Sequence, residues 1–165
     1  MTDCPIRFPA IAFIPPYPEG LGPDCESLMG LGDLEGLAVG SLPRAAADLY
    51  ERADIVDSDC RRWLISGATY APAHSPLVHA LRGLVGWKFY RATFQFTEGA
   101  SMTLDEVKAR VCSAIDNDPL IFVDDELIAG ESGEPIEEEV LVAAVKAKVW
   151  AAPDIDEICE AATLY

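Results

Sequence analysis

Along this chain, apolar and polar positions alternate between two periods, and the changeovers fall at proline, glycine and short acidic clusters. Ile11-Ala12-Phe13-Ile14 is a continuous apolar run halted by Pro15-Pro16, and it predicts a strand. From Tyr17 to Gly40 the pattern is irregular, with room for one short strand or helical turn. Leu42, Ala46, Leu49, Ala53 and Val56 then recur at helical spacing, and Cys60, Trp63 and Leu64 prolong the stripe. This predicts a helix opening near Ser41 or Pro43 and ending at Ser66-Gly67. Asp57-Ser58-Asp59 could instead divide it and cap a second helix. A short helix is expected from Pro76 to Val85, with Leu77, Leu81 and Leu84 turned inward.

Trp87 to Phe96 is the strongest strand signal, aromatic-rich and bounded by Gly86 and Thr97-Glu98-Gly99. Trp87 and Phe89 fall on one face and Tyr90, Ala92, Phe94 and Phe96 on the other, so a strand covered on both sides, or a bulge near Tyr90, is expected. Thr103-Leu104-Asp105-Glu106 is a capping box followed at once by Val107, Val111 and Ile115 at helical spacing, with Pro119 closing the element. Leu120–Val123 and Leu127–Ala129 suggest two short strands. A helix from Pro135 to Trp150 would bury Val140, Leu141, Ala144 and Val145. Asp154-Ile155-Asp156-Glu157 would cap a last helix carrying Ile158, Cys159 and Ala162 inward. Without regular βαβ spacing or an internal repeat, the reading is an α+β fold: a single domain over residues 1–165, with a small, mainly antiparallel sheet packed with several helices. Residues 1–43, holding seven of the twelve prolines and six of the twelve glycines, form a loop-dominated N-terminal segment in this reading.

Composition narrows the classes. Half of the 165 residues are hydrophobic, too many for a disordered acidic tail. The longest aliphatic run, Val140 to Val145, is far short of the roughly 20 residues a membrane-spanning helix needs. The start of the chain lacks the basic and apolar segments of a secretory signal, so a cytoplasmic location is expected. Cys4, Cys25, Cys60, Cys112 and Cys159 are odd in number and widely spaced, which predicts free, mostly buried thiols rather than a disulfide or zinc framework.

Candidate chemistry thins out on inspection. Gly30, Gly32 and Gly36 are one residue too long for a dinucleotide fingerprint and are flanked by Asp33 and Glu35, so loop geometry is the better account. Asp116-Asn117-Asp118 opens like a calcium loop but lacks the glycine and the final glutamate. His74 and His79 match no metal or nucleophile motif. No metal and no cofactor is predicted.

Charge is the remaining feature. The net charge is −16, divided as −8 over residues 1–59, +5 over 60–97 and −13 over 98–165. Between Asp116 and Glu139 there are ten acids and no base; helix-dipole complementarity accounts for Glu137, Glu138 and Glu139. Such a chain is a poor match for nucleic acid or anionic membrane and a good one for a basic macromolecule. The expected function is therefore an acidic binding protein, an immunity protein or inhibitor of a nuclease-type toxin, or a DNA-mimicking inhibitor. Asp116, Asp118, Asp124, Asp125, Glu126, Glu131 and Glu134 would carry the partner-binding charge, with Trp150 or Tyr165 as an apolar anchor. The opposing class is a small enzyme using a Cys–His pair or a carboxylate-held metal. A third is an interaction module acidic only for solubility. Arg61, Arg62, Lys88 and Arg91 could neutralise part of the Asp116–Glu139 cluster within the fold.

Overall fold

The computed structural model describes residues 4–16, 26–33, 39–40, 53–72, 78, 90–117, 138–162 and 164. Its strands are β1 (Ala10–Ile14), β2 (Ser27–Leu31), β3 (Val39–Gly40), β4 (Asp54–Val56), β5 (Arg62–Pro72) and β6 (Tyr90–Glu98). Its helices are α1 (Leu104–Asn117), α2 (Glu138–Ala151) and α3 (Ile155–Ala161). The strands form one sheet in the order β2-β1-β4-β5-β6-β3, and every pairing is antiparallel. The fold is the mixed α+β type that the sequence implies.

β1 is buried at all five positions because both faces of the sheet are covered there. Ile11 and Phe13 join Leu28, Val56 and the inward side chains of the helices in one core cluster. Ala10, Ala12 and Ile14 join Leu31, Ile55, Trp63 and Ile65 in a second, on the opposite face. A strand with two buried faces shows a continuous apolar run instead of alternation, which is the pattern read in the sequence.

The helices begin where their capping residues predict. The Thr103 N–H donates to Glu106 Oε2 at 2.6 Å, and the Glu106 N–H donates back to Thr103 Oγ1 at 3.2 Å. These reciprocal bonds satisfy donors that the first turn of α1 would leave orphaned. Val107, Val111 and Ile115 are then fully buried. Asp154 caps α3 by accepting the Glu157 N–H at 3.0 Å, and Ile158, Cys159 and Ala162 face the core. The buried Lys108 donates from Nζ to the Trp150 carbonyl at 3.0 Å, putting a cation on an orphan acceptor in the last turn of α2.

Several expectations fail, each for a local reason. The helix extending through Val56 to Leu64 is instead the β4–β5 hairpin; its first part, Ser41–Tyr50, lies outside the described residues. Ala53, Asp54, Ile55 and Val56 are all buried, as a central strand requires, and the apolar members of such a stretch satisfy helical spacing by coincidence. Asp57-Ser58-Asp59-Cys60 is the hairpin turn rather than a helix cap: the Cys60 N–H donates to the Asp57 carbonyl at 2.8 Å and Cys60 takes φ 58°. A three-residue hairpin loop closes this way, with a left-handed residue after a type I turn.

Ser66-Gly67 ends no helix; it is a β-bulge inside β5, where Ile65 pairs with Phe96 and Gly67 with Gln95. The extra residue moves the inward parity from Trp63 and Ile65 to Ala68 and Tyr70, so all four stay on the face of Phe94 and Phe96. β6 runs through the expected turn to Glu98, and it is not covered on both sides. Tyr90, Ala92, Phe94 and Phe96 are half-buried while Arg91, Thr93 and Gln95 are exposed. Trp87 and Phe89 lie outside the described residues, as do the strands expected at 120–123 and 127–129 and, except for Val78, the helix expected at 76–85. α2 presents Leu141, Val145 and Val149 to the core, and leaves Val140 and Ala144, expected inside, exposed.

Gly30 belongs to β2 and not to a loop. Its N–H donates to the Leu164 carbonyl at 3.2 Å, and a Cβ placed on it would lie 2.8 Å from that same oxygen. Gly30→Ala is expected to lower stability by about 1–3 kcal/mol, because the clash is with backbone that cannot rotate away. Urea unfolding with an unchanged slope and a lower midpoint checks this.

The capping box supplies a second test. The N–H and then the hydroxyl of Thr103 hold the exposed Glu106 carboxyl below the ordinary glutamate value of 4.5. A depressed folded-state value means that the bonds help the fold above the unfolded-state pKa, and that this help fades as pH falls through the lower folded value. An NMR titration should show Glu106 among the low-titrating glutamates and returning towards 4.5 in Thr103→Ala.

Candidate functional site

Of the acids expected to carry partner binding, Asp116 is described. Asp118, Asp124, Asp125, Glu126, Glu131 and Glu134 lie outside the described residues, as do His74, His79 and Tyr165. Asp116 sits in the last turn of α1, exposed, with both carboxylate oxygens 2.7 Å from Lys146 Nζ on α2. That pair ties α1 to α2 at the surface, where solvent and salt hold its worth to about 0–1 kcal/mol.

The described helices show where other acids stand. Asp105 and Glu106 on α1, Glu139 on α2, and Asp154, Asp156, Glu157 and Glu160 on and before α3 are all exposed. Three of the four basic residues in this layer are engaged inside the protein: Lys108 on the Trp150 carbonyl, Lys146 on Asp116, and Arg110 in the network described next. The outer surface of the helical layer is acidic as a result. Trp150 lies in the same layer with 49% of its surface exposed.

A second set of charges is internal. Arg110 reaches from α1 towards the sheet, its guanidinium carbon 3.9 Å from the centre of the Phe13 ring. Its Nε and Nη2 donate to the two oxygens of Glu26 at 3.0 and 2.6 Å, and its Nη1 donates to Asp54 Oδ2 at 2.6 Å. Asp54 also accepts Arg62 Nε at 2.7 Å. Burial works against the Arg110 charge, and the hydrogen bonds and charges of Glu26 and Asp54 more than offset it, so its pKa is raised. Two arginines and two carboxylates make a network of zero net charge. Of the basic residues expected to neutralise the Asp116–Glu139 cluster, Arg62 instead meets Asp54, and Arg61 approaches Asp59 at 4.0 Å. Their acids belong to the β4–β5 hairpin.

Asp57, fully buried, organises that hairpin. Oδ1 accepts the N–H groups of Asp59 and Arg61 at 3.0 and 2.9 Å, and Oδ2 accepts Trp63 Nε1–H at 2.8 Å. Asp54 and Asp57 therefore spend their lone pairs on structure, which is a poor disposition for a general base. The sequence carried one signal for them, an acid set within the apolar run Ala53-Asp54-Ile55-Val56 and another directly after it.

Thiol chemistry is also poorly served. Cys4, Cys60 and Cys112 are free thiols. Burial, and then the charges of Asp57 and Asp59, push the Cys60 thiol up. Burial raises Cys112, with Lys146 opposing and Asp116 adding to the rise. Both shifts favour the protonated, less nucleophilic form. Among the described residues no group of three or more His, Cys, Asp or Glu side chains could hold a metal ion, and no helix is long and apolar enough to cross a membrane. The corner between α2 and α3 holds an open depression of roughly 390 Å³, lined in part by Lys148, Ala151, Pro153, Glu157 and Glu160.

The chain matches no protein-family model, no curated protein and no solved structure.

Asp57→Ala deprives three donors of their acceptor, the buried Trp63 Nε1–H among them, and should cost about 3 kcal/mol. Asp57→Asn keeps the turn acceptor but sets an amide N–H against Trp63 Nε1–H, so a smaller loss is expected. Comparing both variants with the wild type by chemical denaturation separates the turn bonds from the indole bond.

Proposed function

We propose that this protein is an acidic binding protein that docks a basic macromolecular partner, acting as an immunity protein or inhibitor that blocks a nuclease-type toxin. A nuclease presents a cationic cleft to its phosphate substrate, and a folded acidic surface can occupy that cleft by imitating the charge. The observation that carries this reading is the helical layer, which turns its acids outward while Lys108, Arg110 and Lys146 are engaged within the protein. The acids at 118–134 add their negative charge to the same chain. Association would be fast and steeply salt-dependent, because exposed charges steer encounter. The free thiols fit the reducing environment of the cytoplasm.

Burial holds the Cys60 and Cys112 thiols towards the protonated form, so neither of these two supports a cysteine-nucleophile reading. Affinity capture from the source cell's lysate, eluted over a salt gradient, tests the reading. A basic protein should elute at raised salt, show nuclease activity alone, and lose it on recombination with this chain. Retention of nuclease activity in the mixture, or no basic protein in the eluate, overturns the proposal.

A further inference from the structure

The outward side of α2 departs from what a surface helix normally shows. Its buried positions, Leu141, Val145 and Val149, recur every four residues. The outward side carries Val140, Ala143, Ala147 and Ala151, with Ala144 on its flank, all exposed. Val140 has 55% of its surface in solvent. An ordinary amphipathic helix points its charges away from the core. Here Glu139 and Lys146 lie towards one flank and Lys148 on the other, leaving the outermost ridge apolar. Trp150 borders the ridge on the Glu139 side. On the Lys148 side the ridge runs, through Ala151, into the open corner that Glu157 and Glu160 help to line.

We infer that this apolar ridge, with the α2–α3 corner beside it, is a docking face for a basic amphipathic segment of a partner protein. Alanines at 143, 144, 147 and 151 let a partner backbone or aliphatic side chain approach closely, and Val140 and Trp150 supply the larger contacts. Charge complementarity selects the occupant. The protein carries −16; Glu139 stands on one flank of the ridge, and the corner on the other is lined by Glu157 and Glu160 against the base Lys148. A second copy of this chain would bring the same negative charge, whereas a segment with lysine or arginine beside its apolar side chains meets both surfaces. A membrane surface of anionic lipid is disfavoured by the same sign. This inference deepens the basic-partner reading and rests on it: it moves the contact from charge alone to an apolar ridge with charged margins.

Binding of two short peptide probes to the full chain, by calorimetry or fluorescence anisotropy over a salt series, tests it. One probe has leucine and lysine on opposite faces at helical spacing, and the other has the same lysines with serine for leucine. The leucine–lysine probe should bind more tightly. Ala147→Gln and Val140→Gln, which add bulk without charge at exposed positions, should each weaken it about tenfold while leaving the salt dependence and the unfolding midpoint unchanged. Glu157→Gln with Glu160→Gln should instead flatten the salt dependence. Equal affinity for both probes, or indifference to Ala147→Gln and Val140→Gln, overturns the ridge and leaves the acidic-surface reading standing. Binding of neither probe at low salt counts against both. Concentration-dependent dimerisation in sedimentation experiments, abolished by Ala147→Gln, would assign the ridge to a second copy and overturn the inference.

Discussion

The Arg110 guanidinium is the point at which helix and sheet are joined by something other than apolar contact. It lies over the Phe13 ring and is bonded on both sides, to Glu26 before β2 and to Asp54 on β4. An ion set so close to a hydrophobic core is tolerable only if its charge is matched and its donors are used. Glu26, Asp54 and Arg62 supply that match. The geometry is directional where hydrophobic packing is not, so it fixes how far along α1 the sheet must sit. Replacing one member alone would strand its partner's charge, which makes the four residues a single unit.

That unit also explains the division of charge. Three of the four basic residues of the described helices serve the interior or the joints between elements. Lys108 terminates α2, Lys146 bridges α1 to α2, and Arg110 anchors α1 to the sheet. Acids are left to face solvent. The outer side of the helical layer is short of positive charge as a result, since Arg110 is spent on Glu26 and Asp54 rather than on the acids of its own layer. The function proposed for the protein follows from that asymmetry.

What the sequence made legible was local. The capping box at Thr103 and the cap at Asp154 rest on bonds within a few residues, which spacing alone can disclose, and β1 shows as an unbroken apolar run. The β4–β5 hairpin was not legible, because Ala53 to Leu64 satisfies helical and strand periodicity alike and tertiary burial decided between them. Val140 and Ala144 were misplaced because α2 is apolar nearly all round, and such a helix does not announce which side will be buried. Of the acids expected to bind a partner, Asp116 proved to be committed to Lys146. Arg110 and Asp54 were unreadable as partners because 56 residues separate them.

The bond between Gly30 and Leu164 has a consequence for the order in which the fold can be completed. β2 lies at the rim of the sheet, with one side paired to β1 and the other carrying that bond. Its hairpin with β1 needs contacts that lie close together in sequence, so it can close early. The rim bond needs a residue on the far side of α3, and contacts so distant in sequence form late and slowly. Until then β2 presents open backbone groups, the feature by which sheets recruit strands from other molecules. The stretch around Leu164 therefore acts as a latch, and the interval before it closes is when a newly made chain would be most exposed to mispairing.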